Sequence, residues 1–511
     1  MTLAAVTAVQ PTDTALLALR KALSVTVIAA LADWLLWGHT IGIALALLLA
    51  AISIGVLVVN RTWQGFGRTV AAFAVAILAL VPLVETISPL SLAAGILGTA
   101  MFALLVSGQL SERWPASLLE PVVLLLIGPY RAVADLAAIA RAHGGRFGHG
   151  TMLLRWIVPI VFGAVFLALF AAANPMIANG LAAIDWNTIT ALFDPARMLF
   201  WLAMTLGAWG IVCVRSVASW FERAPVPPPI APTDATAPSH ALSELFGTGA
   251  ILRSLILFNL LFAVQTALDL TYLWRGVALP YGLTYADYAH RGAYPLMVTA
   301  ALAAAFVVVT FGPGSTLEKS WTARALVFAW IGQNVALVAS SILRLDLYVG
   351  VYSLSYWRMA AFIWMGLVAC GLLLICARIL FARSNTWLTG ANLAAALAML
   401  YACCFINFAA VIATYNVTHS QEVLGVGNPL DIPYLAGLGP DAIPALDRFI
   451  ETLPKRLDGE AHRPVHWRRF DALSHRNTQA GVVRNAPQDW RAWTYRSHRL
   501  ATYLSTRADP N

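Results

Sequence analysis

Runs of about twenty apolar residues follow one another along most of this chain, and each run can cross a bilayer as a helix. Only 11% of the 511 residues are charged, whereas an ordinary globular domain has about 25%. That deficit leaves too few polar side chains to cover a water-exposed surface, so most of the chain should lie in lipid. The sequence therefore predicts an all-α fold: a polytopic integral membrane helical bundle with a small helical C-terminal tail domain.

About eleven transmembrane helices follow from the positions of these runs. They are Ala22–Trp37, Ile41–Val59, Val70–Thr86, Leu92–Ser107, Met152–Ala173, Arg197–Trp220, Ile251–Leu273, Leu296–Phe311, Thr322–Leu343, Arg358–Cys376 and Ala391–Ala413. Between the fourth and the fifth, Leu118–Ile127 is only about half a span long. Tyr130–His143 then has the pattern of an amphipathic helix that lies on the inner membrane surface.

The predicted spans form two membrane halves with a linker rich in proline and alanine between them. The predicted segments are 1–21 for a cytoplasmic N-terminus, 22–220 for a six-span half that includes an inner-surface region at 108–151, 221–250 for a cytoplasmic linker, 251–413 for a five-span half, and 414–511 for a basic, aromatic-rich tail. Arginine and lysine favour cytoplasmic loops. With the N-terminus inside, the inner loops hold sixteen of them and the outer loops five. An odd number of spans then makes the tail extracytoplasmic, and the predicted location is a bacterial inner membrane.

The tail carries the remaining charge pattern. Its basic residues are interleaved with Trp467, Phe470, Trp490, Trp493, Tyr495 and Tyr503, a pattern that suits an anionic lipid surface, the protein's own outer loops or nucleic acid. An extracytoplasmic tail would not meet nucleic acid, so we expect the first two. All five cysteines lie in apolar runs without metal-binding or redox spacing, and no catalytic motif is present. We expect no metal, no cofactor and no catalytic residues, and an enzyme is the less favoured class.

Ionisable and amide groups near the ends of spans are the main candidates for function, because such groups are costly in lipid and usually face a bundle interior or water. The candidate polar cluster consists of Asp33, Glu85, Gln265, Asp269, Asp287, Arg291, Arg344 and Arg358. All are expected toward the outer side. They would form either structural ion pairs at the interface or an outward-facing binding cavity or proton relay.

A candidate aromatic face accompanies this cluster and consists of Tyr285, Tyr288, Tyr294, Tyr348 and Tyr352. The first three belong to Tyr285–Leu296, where Thr284 and Asp287 fit a capping box and predict a short helix. That segment would be an interfacial anchor or a lid that faces a ligand. Tyr348, Tyr352 and Tyr356 have helical spacing and predict an aromatic stripe on one helix.

Several stretches, in this order, resemble the bacterial membrane protein families of domains of unknown function 4173 and 4153. The stretches are Leu31–His39, Tyr285–Leu296, Arg344–Arg358, Asn407–Val417 and Asp431–Leu446. Ser353, Ser355 and Phe408 depart from the family pattern. The resemblance implies a multi-span membrane protein and no particular activity.

Two classes of function remain open at this point. The first is a non-catalytic membrane sensor or regulatory component, whose partners would be the bilayer and another membrane or periplasmic protein. The second is a secondary transporter or lipid-handling protein that uses the intramembrane Asp and Glu side chains. The internal repeats and broken helices typical of many transporters are not evident in the sequence.

Overall fold

The structure is a computed structural model that describes residues 11–60, 65–112, 115–142, 166–167, 174, 176, 179–180, 194–215, 248–274, 302, 320–453 and 463–507. The helices are α1 (Pro11–Leu36), α2 (Ile43–Val59), α3 (Phe66–Glu85), α4 (Pro89–Val106), α5 (Glu120–Ala142), α6 (Pro195–Val212), α7 (Thr248–Asp269), α8 (Trp321–Tyr352), α9 (Tyr356–Leu380), α10 (Asn385–Cys403), α11 (Phe408–Thr418), α12 (Gln421–Leu424), α13 (Ile432–Gly437), α14 (Ile443–Thr452), α15 (Arg463–Arg484) and α16 (Tyr495–Thr506). No strand occurs in these ranges, so the described part of the chain is all-helical.

Seven of the described helices are long and apolar enough to cross a membrane: α3, α4, α6, α7, α8, α9 and α10. This finding indicates a membrane protein. Helix α2 is apolar but has 17 residues, and α1 has 26 residues that include Arg20, Lys21 and Asp33. The predicted spans Met152–Ala173 and Leu296–Phe311 lie outside the described residues.

The chain divides into two compact units. The first unit holds Met1–Glu112, Ala116–Glu222 and Asp489–Thr494. The second unit holds Arg113–Pro115, Arg223–Gln488 and Tyr495–Asn511. A stretch of six residues late in the sequence thus belongs to the unit formed by the earliest helices.

Small residues bring the helices of the first unit close together. A Cβ atom added to Gly98 of α4 would lie 2.4 Å from the Ala79 Cβ of α3. Similarly, a Cβ atom on Gly210 of α6 would lie 2.6 Å from the Gly128 Cα of α5. Helices in lipid associate mainly through such close van der Waals contact. The start of α4 is fixed by a capping box, in which Ser88 and Ser91 exchange side-chain-to-backbone hydrogen bonds.

The region around α5 differs from the sequence prediction of a short apolar segment followed by a separate amphipathic helix. One continuous helix runs from Glu120 to Ala142. Pro121 does not interrupt it, because proline is tolerated in a first helical turn, where the N–H group has no intrahelical partner. Pro129 lies inside the helix, which continues through it.

The membrane helices of the second unit enclose a core around Trp330 of α8, which is fully buried with Val327, Ile331 and Leu255. Asn259 of α7 donates to the Leu326 carbonyl of α8 at 3.0 Å and ties the two helices together. A π-helical segment, Leu270–Trp274, continues α7 beyond Asp269.

Two predictions for this unit are wrong in detail. The predicted single span Ala391–Ala413 is two helices, because α10 ends at Cys403 and the Asn407 side chain caps a new helix by accepting from Ala410 N at 3.1 Å. The predicted Tyr348–Tyr352–Tyr356 stripe is also divided. Ser353 has a φ of 65°, which ends α8, so Tyr356 begins the next helix.

Helices α11, α13, α14 and α15 share a further core that includes Val417, Leu435, Leu446 and Phe449. At its centre Arg476 Nε donates to Asp447 Oδ1 at 2.8 Å, and both side chains are fully buried. Tyr503 of α16 donates its hydroxyl hydrogen to the other Asp447 oxygen at 2.9 Å. Because buried charges require such partners, this network links α14, α15 and α16.

Candidate functional site

The predicted candidate Asp33 lies near the end of α1, where α6 provides its partners. Arg197 forms a bidentate ion pair with the Asp33 carboxylate, with N–O distances of 2.8 and 2.5 Å. Trp201 Nε1 donates to the same carboxylate at 2.9 Å. The Asp33 carboxylate thus accepts two charge-assisted hydrogen bonds and one hydrogen bond from an indole. These bonds make Asp33 a structural link between α1 and α6.

The turn between α1 and α2 binds the stretch Asp489–Thr494, which we name the docking stretch. Ile43 N donates to the Trp493 carbonyl at 2.8 Å. Gly42 permits this approach, since a Cβ atom there would lie 2.3 Å from the carbonyl carbon of Ala492. The backbone of the turn and the backbone of the docking stretch are therefore in direct contact.

Side chains add to this backbone contact. The Arg491 guanidinium lies over the Trp34 ring at 4.7 Å and over the Trp490 ring at 5.2 Å. Trp34 and Trp490 are themselves 5.9 Å apart. Cation–π contacts at exposed sites contribute about 0.5–1 kcal/mol each. The docking stretch is thus held to α1 by the contacts of Arg491 and Trp490 with Trp34 as well as by the main chain.

Asp489 completes the contact through charge. Its carboxylate lies 2.8 Å from His39 Nδ1 in the α1–α2 turn. The pKa of Asp489 lies below its ordinary value. The hydrogen bond from the Arg491 backbone N–H lowers this pKa most, and the Arg491 guanidinium and His39 lower it further. The carboxylate therefore stays ionised at neutral pH and can pair with the turn.

In the second unit the predicted candidates Gln265, Asp269 and Arg344 come together. Arg344 Nη2 binds Asp269 Oδ1, and Gln265 Nε2 donates to the same oxygen at 2.9 Å. The side chains of Asp269 and Arg344 are 1% and 3% exposed, so this is a buried ion pair between α7 and α8. Nearby, Trp274 Nε1 donates to Ser340 Oγ at 3.1 Å.

Arg358, Tyr348 and Tyr352 meet where α8 turns into α9. The Arg358 guanidinium lies 4.8 Å from the Tyr348 ring centre and donates to the Tyr352 carbonyl at 2.6 Å. Asn416 of α11 secures the same turn, because its side-chain amide accepts from Leu354 N at 2.7 Å and donates to Leu354 O at 3.0 Å.

The other predicted site residues are not part of these contacts. Glu85 is the last residue of α3 and is half-buried. Tyr285, Asp287, Tyr288, Arg291 and Tyr294 lie outside the described residues. Asp33 and Glu85 belong to the first unit, whereas Gln265, Asp269, Arg344 and Arg358 belong to the second.

Sequence reasoning missed Asn416, Gly42 and the role of the docking stretch. The Asn416 amide gave no signal, because nothing in its local sequence points to a turn more than sixty residues away. Gly42 is the second residue of the predicted span Ile41–Val59, and a glycine there could have suggested close backbone approach. The partner stretch could not have been inferred from either position.

The chemistry of these groups favours binding and positioning. In the described ranges, no three His, Cys, Asp or Glu residues lie together in a way that could hold a metal ion. The acids Asp33 and Asp269 accept from arginine guanidinium groups. These pairs link neighbouring helices, since Asp33 joins α1 to α6 and Asp269 joins α7 to α8.

Comparison with known proteins places the chain within one family. The sequence model of DUF4153, a domain of unknown function, matches residues 17–449. No curated protein and no solved structure matches the chain.

Proposed function

The chain belongs to the DUF4153 family, and from that premise we propose that it is a non-catalytic sensor or regulatory component of a bacterial inner membrane. In this proposal the docking stretch reports a signal by binding to, or leaving, the α1–α2 turn. Its partners are the lipid bilayer and another membrane or periplasmic protein. The contact among Gly42, Ile43 and the docking stretch is the observation that carries the proposal.

Three features suit a reversible contact. The contacts of the docking stretch with α1 and its turn include a backbone hydrogen bond, a His–Asp pair and the Arg491 guanidinium over the Trp34 ring. His39 is 36% exposed, and exposed pairs of this kind contribute about 0–1 kcal/mol. In the proposal a ligand or partner protein shifts this contact by binding one of its two states more tightly than the other.

The same contact supports an extracytoplasmic tail and a cytoplasmic N-terminus. Arg20 and Lys21 lie in the first half of α1, and the excess of basic residues favours that end inside. If α1 crosses the membrane, the α1–α2 turn faces outward, and the docking stretch bound to it shares that side. The side of the docking stretch is independent of the total of about eleven spans, which stays a prediction, as does the resemblance to family 4173.

The alternative is a secondary transporter or lipid-handling protein that uses intramembrane Asp and Glu. The arginine pairs of Asp33 and Asp269 weigh against it, because a proton or cation carrier needs a carboxylate that can exchange its partner. In proteoliposomes, a proton or substrate flux carried by the wild-type protein would favour the transporter over the sensor.

A substitution at Gly42 tests the sensor proposal. Gly42→Ala places a methyl group against the Ala492 backbone and should release the docking stretch. On intact spheroplasts, trypsin should then cleave after Arg491 faster than in the wild type, because Arg491 is no longer held against the Trp34 ring. Gly67→Ala is the matched control, since a Cβ atom there has nothing within 4 Å.

Regulation is measured in the same strains by sequencing their messenger RNA. The proposal expects Gly42→Ala to reproduce the expression changes caused by deletion of residues 489–511, while Gly67→Ala matches the wild type. If cleavage after Arg491 increases but transcript levels do not change in Gly42→Ala or in the deletion, the sensor function is wrong. If cleavage occurs only after the cells are opened, the proposed side of the tail is wrong.

A further inference from the structure

The first unit contains a cavity of about 280 Å³ whose lining comes from α1, α2, α4, α5 and α6. The residues that line it are Ile, Leu, Met, Ala and Gly only. The helices that contribute most to the lining include Leu48, Leu49, Ile52, Leu124, Met204 and Gly207. An apolar cavity of about 150 Å³ in a protein core stays free of water and binds benzene. A cavity of almost twice that volume with the same chemistry suits a hydrocarbon.

The cavity opens along one face of α6. Gly207 lines the cavity, is exposed, and would have open space around an added Cβ atom. Ala203 lies one turn earlier on the same face, also exposed and also lining the cavity. Leu199 lies one further turn away and is 66% exposed. An apolar exposed helix face therefore leads directly into the apolar cavity.

From this geometry we propose that the cavity binds one acyl chain of a membrane phospholipid, which enters between helices past Gly207 and Ala203. Helix α6 is apolar enough to cross a membrane, so its exposed face meets bilayer hydrocarbon. Acyl chains are the apolar molecules that a bilayer supplies at highest concentration. The proposal concerns a lipid site inside the first unit and does not depend on the sensor function.

Gly207→Leu tests the site, because the new side chain has room to grow into the cavity opening without meeting backbone. The protein is purified in a mild detergent, and native mass spectrometry counts the lipids that it retains. Wild-type protein should retain one phospholipid. Gly207→Leu should lower that retention about tenfold. The free-energy cost of overfilling a cavity that already holds a ligand corresponds to a decrease in affinity of about that size.

Gly366→Leu is the matched control. Gly366 is an exposed glycine inside a helix, and a Cβ atom there also has nothing within 4 Å, so the gain in helix propensity is the same. Its lipid retention should equal that of the wild type. Ala203→Leu fills the opening from one turn away and gives a second measurement if Gly207→Leu does not fold.

Three outcomes would overturn the proposal. They are a wild-type protein that retains no lipid, a retained molecule that is an isoprenoid and not a phospholipid, and an equal retention in Gly207→Leu, Ala203→Leu and Gly366→Leu. Loss of the phospholipid in the folded variants at 203 or 207, with retention in Gly366→Leu, supports it.

Discussion

Removal of the Asp269 charge should destabilise the second unit strongly. In Asp269→Asn the guanidinium of Arg344, whose side chain is 3% exposed, loses the carboxylate that compensates its charge. Removing one member of a buried pair typically costs about 3–5 kcal/mol. For a domain of comparable size, each kcal/mol lowers the Tm by roughly 2–4 °C, so the expected decrease is roughly 6–20 °C.

The free cysteines provide the assay. Cys213, Cys403 and Cys404 are buried, and a thiol-reactive dye should therefore report unfolding of the purified protein in detergent. Glu112→Gln serves as the control, because Glu112 pairs with Arg68 while its side chain is 87% exposed. An exposed pair contributes about 0–1 kcal/mol, so its Tm should change little.

A double variant separates the charge from the packing. Asp269→Leu with Arg344→Met replaces the pair by apolar side chains, and such replacements are often neutral or stabilising. The double variant should regain most of the Tm lost in Asp269→Asn. A Tm for Asp269→Asn within about 2 °C of the wild type, less than 1 kcal/mol by the same scale, would refute a structural role for this pair.

Two further predictions concern Asn416 and Tyr503. Asn416→Ala leaves the Leu354 backbone N–H and C=O without this partner and should cost at least about 2 kcal/mol, seen as a lower Tm; an unchanged Tm would contradict it. Burial and the Asp447 carboxylate raise the pKa of Tyr503 to about 12, against about 10 in an unfolded chain. The raised pKa stabilises the fold below pH 10, and this stabilisation is lost as the pH rises through 12. Tyr503→Phe should therefore flatten the dependence of Tm on pH in that window, and an unchanged slope would count against the Asp447 contact.

Local pattern was enough to predict most of the apolar helices that the structure describes and one polar contact. The spacing of four between Gln265 and Asp269 places both on one face of α7, and their side chains do form a hydrogen bond. The partner of Asp269 was beyond such reasoning, because Arg344 lies 75 residues away on another helix. Sequence periodicity describes one helix at a time and does not identify which helices become neighbours.

Breaks in helices were predicted less well than the helices themselves. Hydrophobicity continues across 391–413, so the boundary at Asn407 depends on a single capping amide within an apolar run. Ser353 ends α8 by adopting a backbone conformation that serine rarely adopts, and composition does not reveal it. The docking stretch was missed for a related reason, because its contact with Gly42 is largely between main-chain atoms.

That contact also sets an order of events during synthesis. Ile43 bonds to Trp493, a residue that the ribosome adds 450 positions later. At about 5–20 residues per second, the first hairpin waits on the order of half a minute or more for its partner. During that interval Trp34 and His39 remain open to chaperones, to proteases and to the bilayer surface.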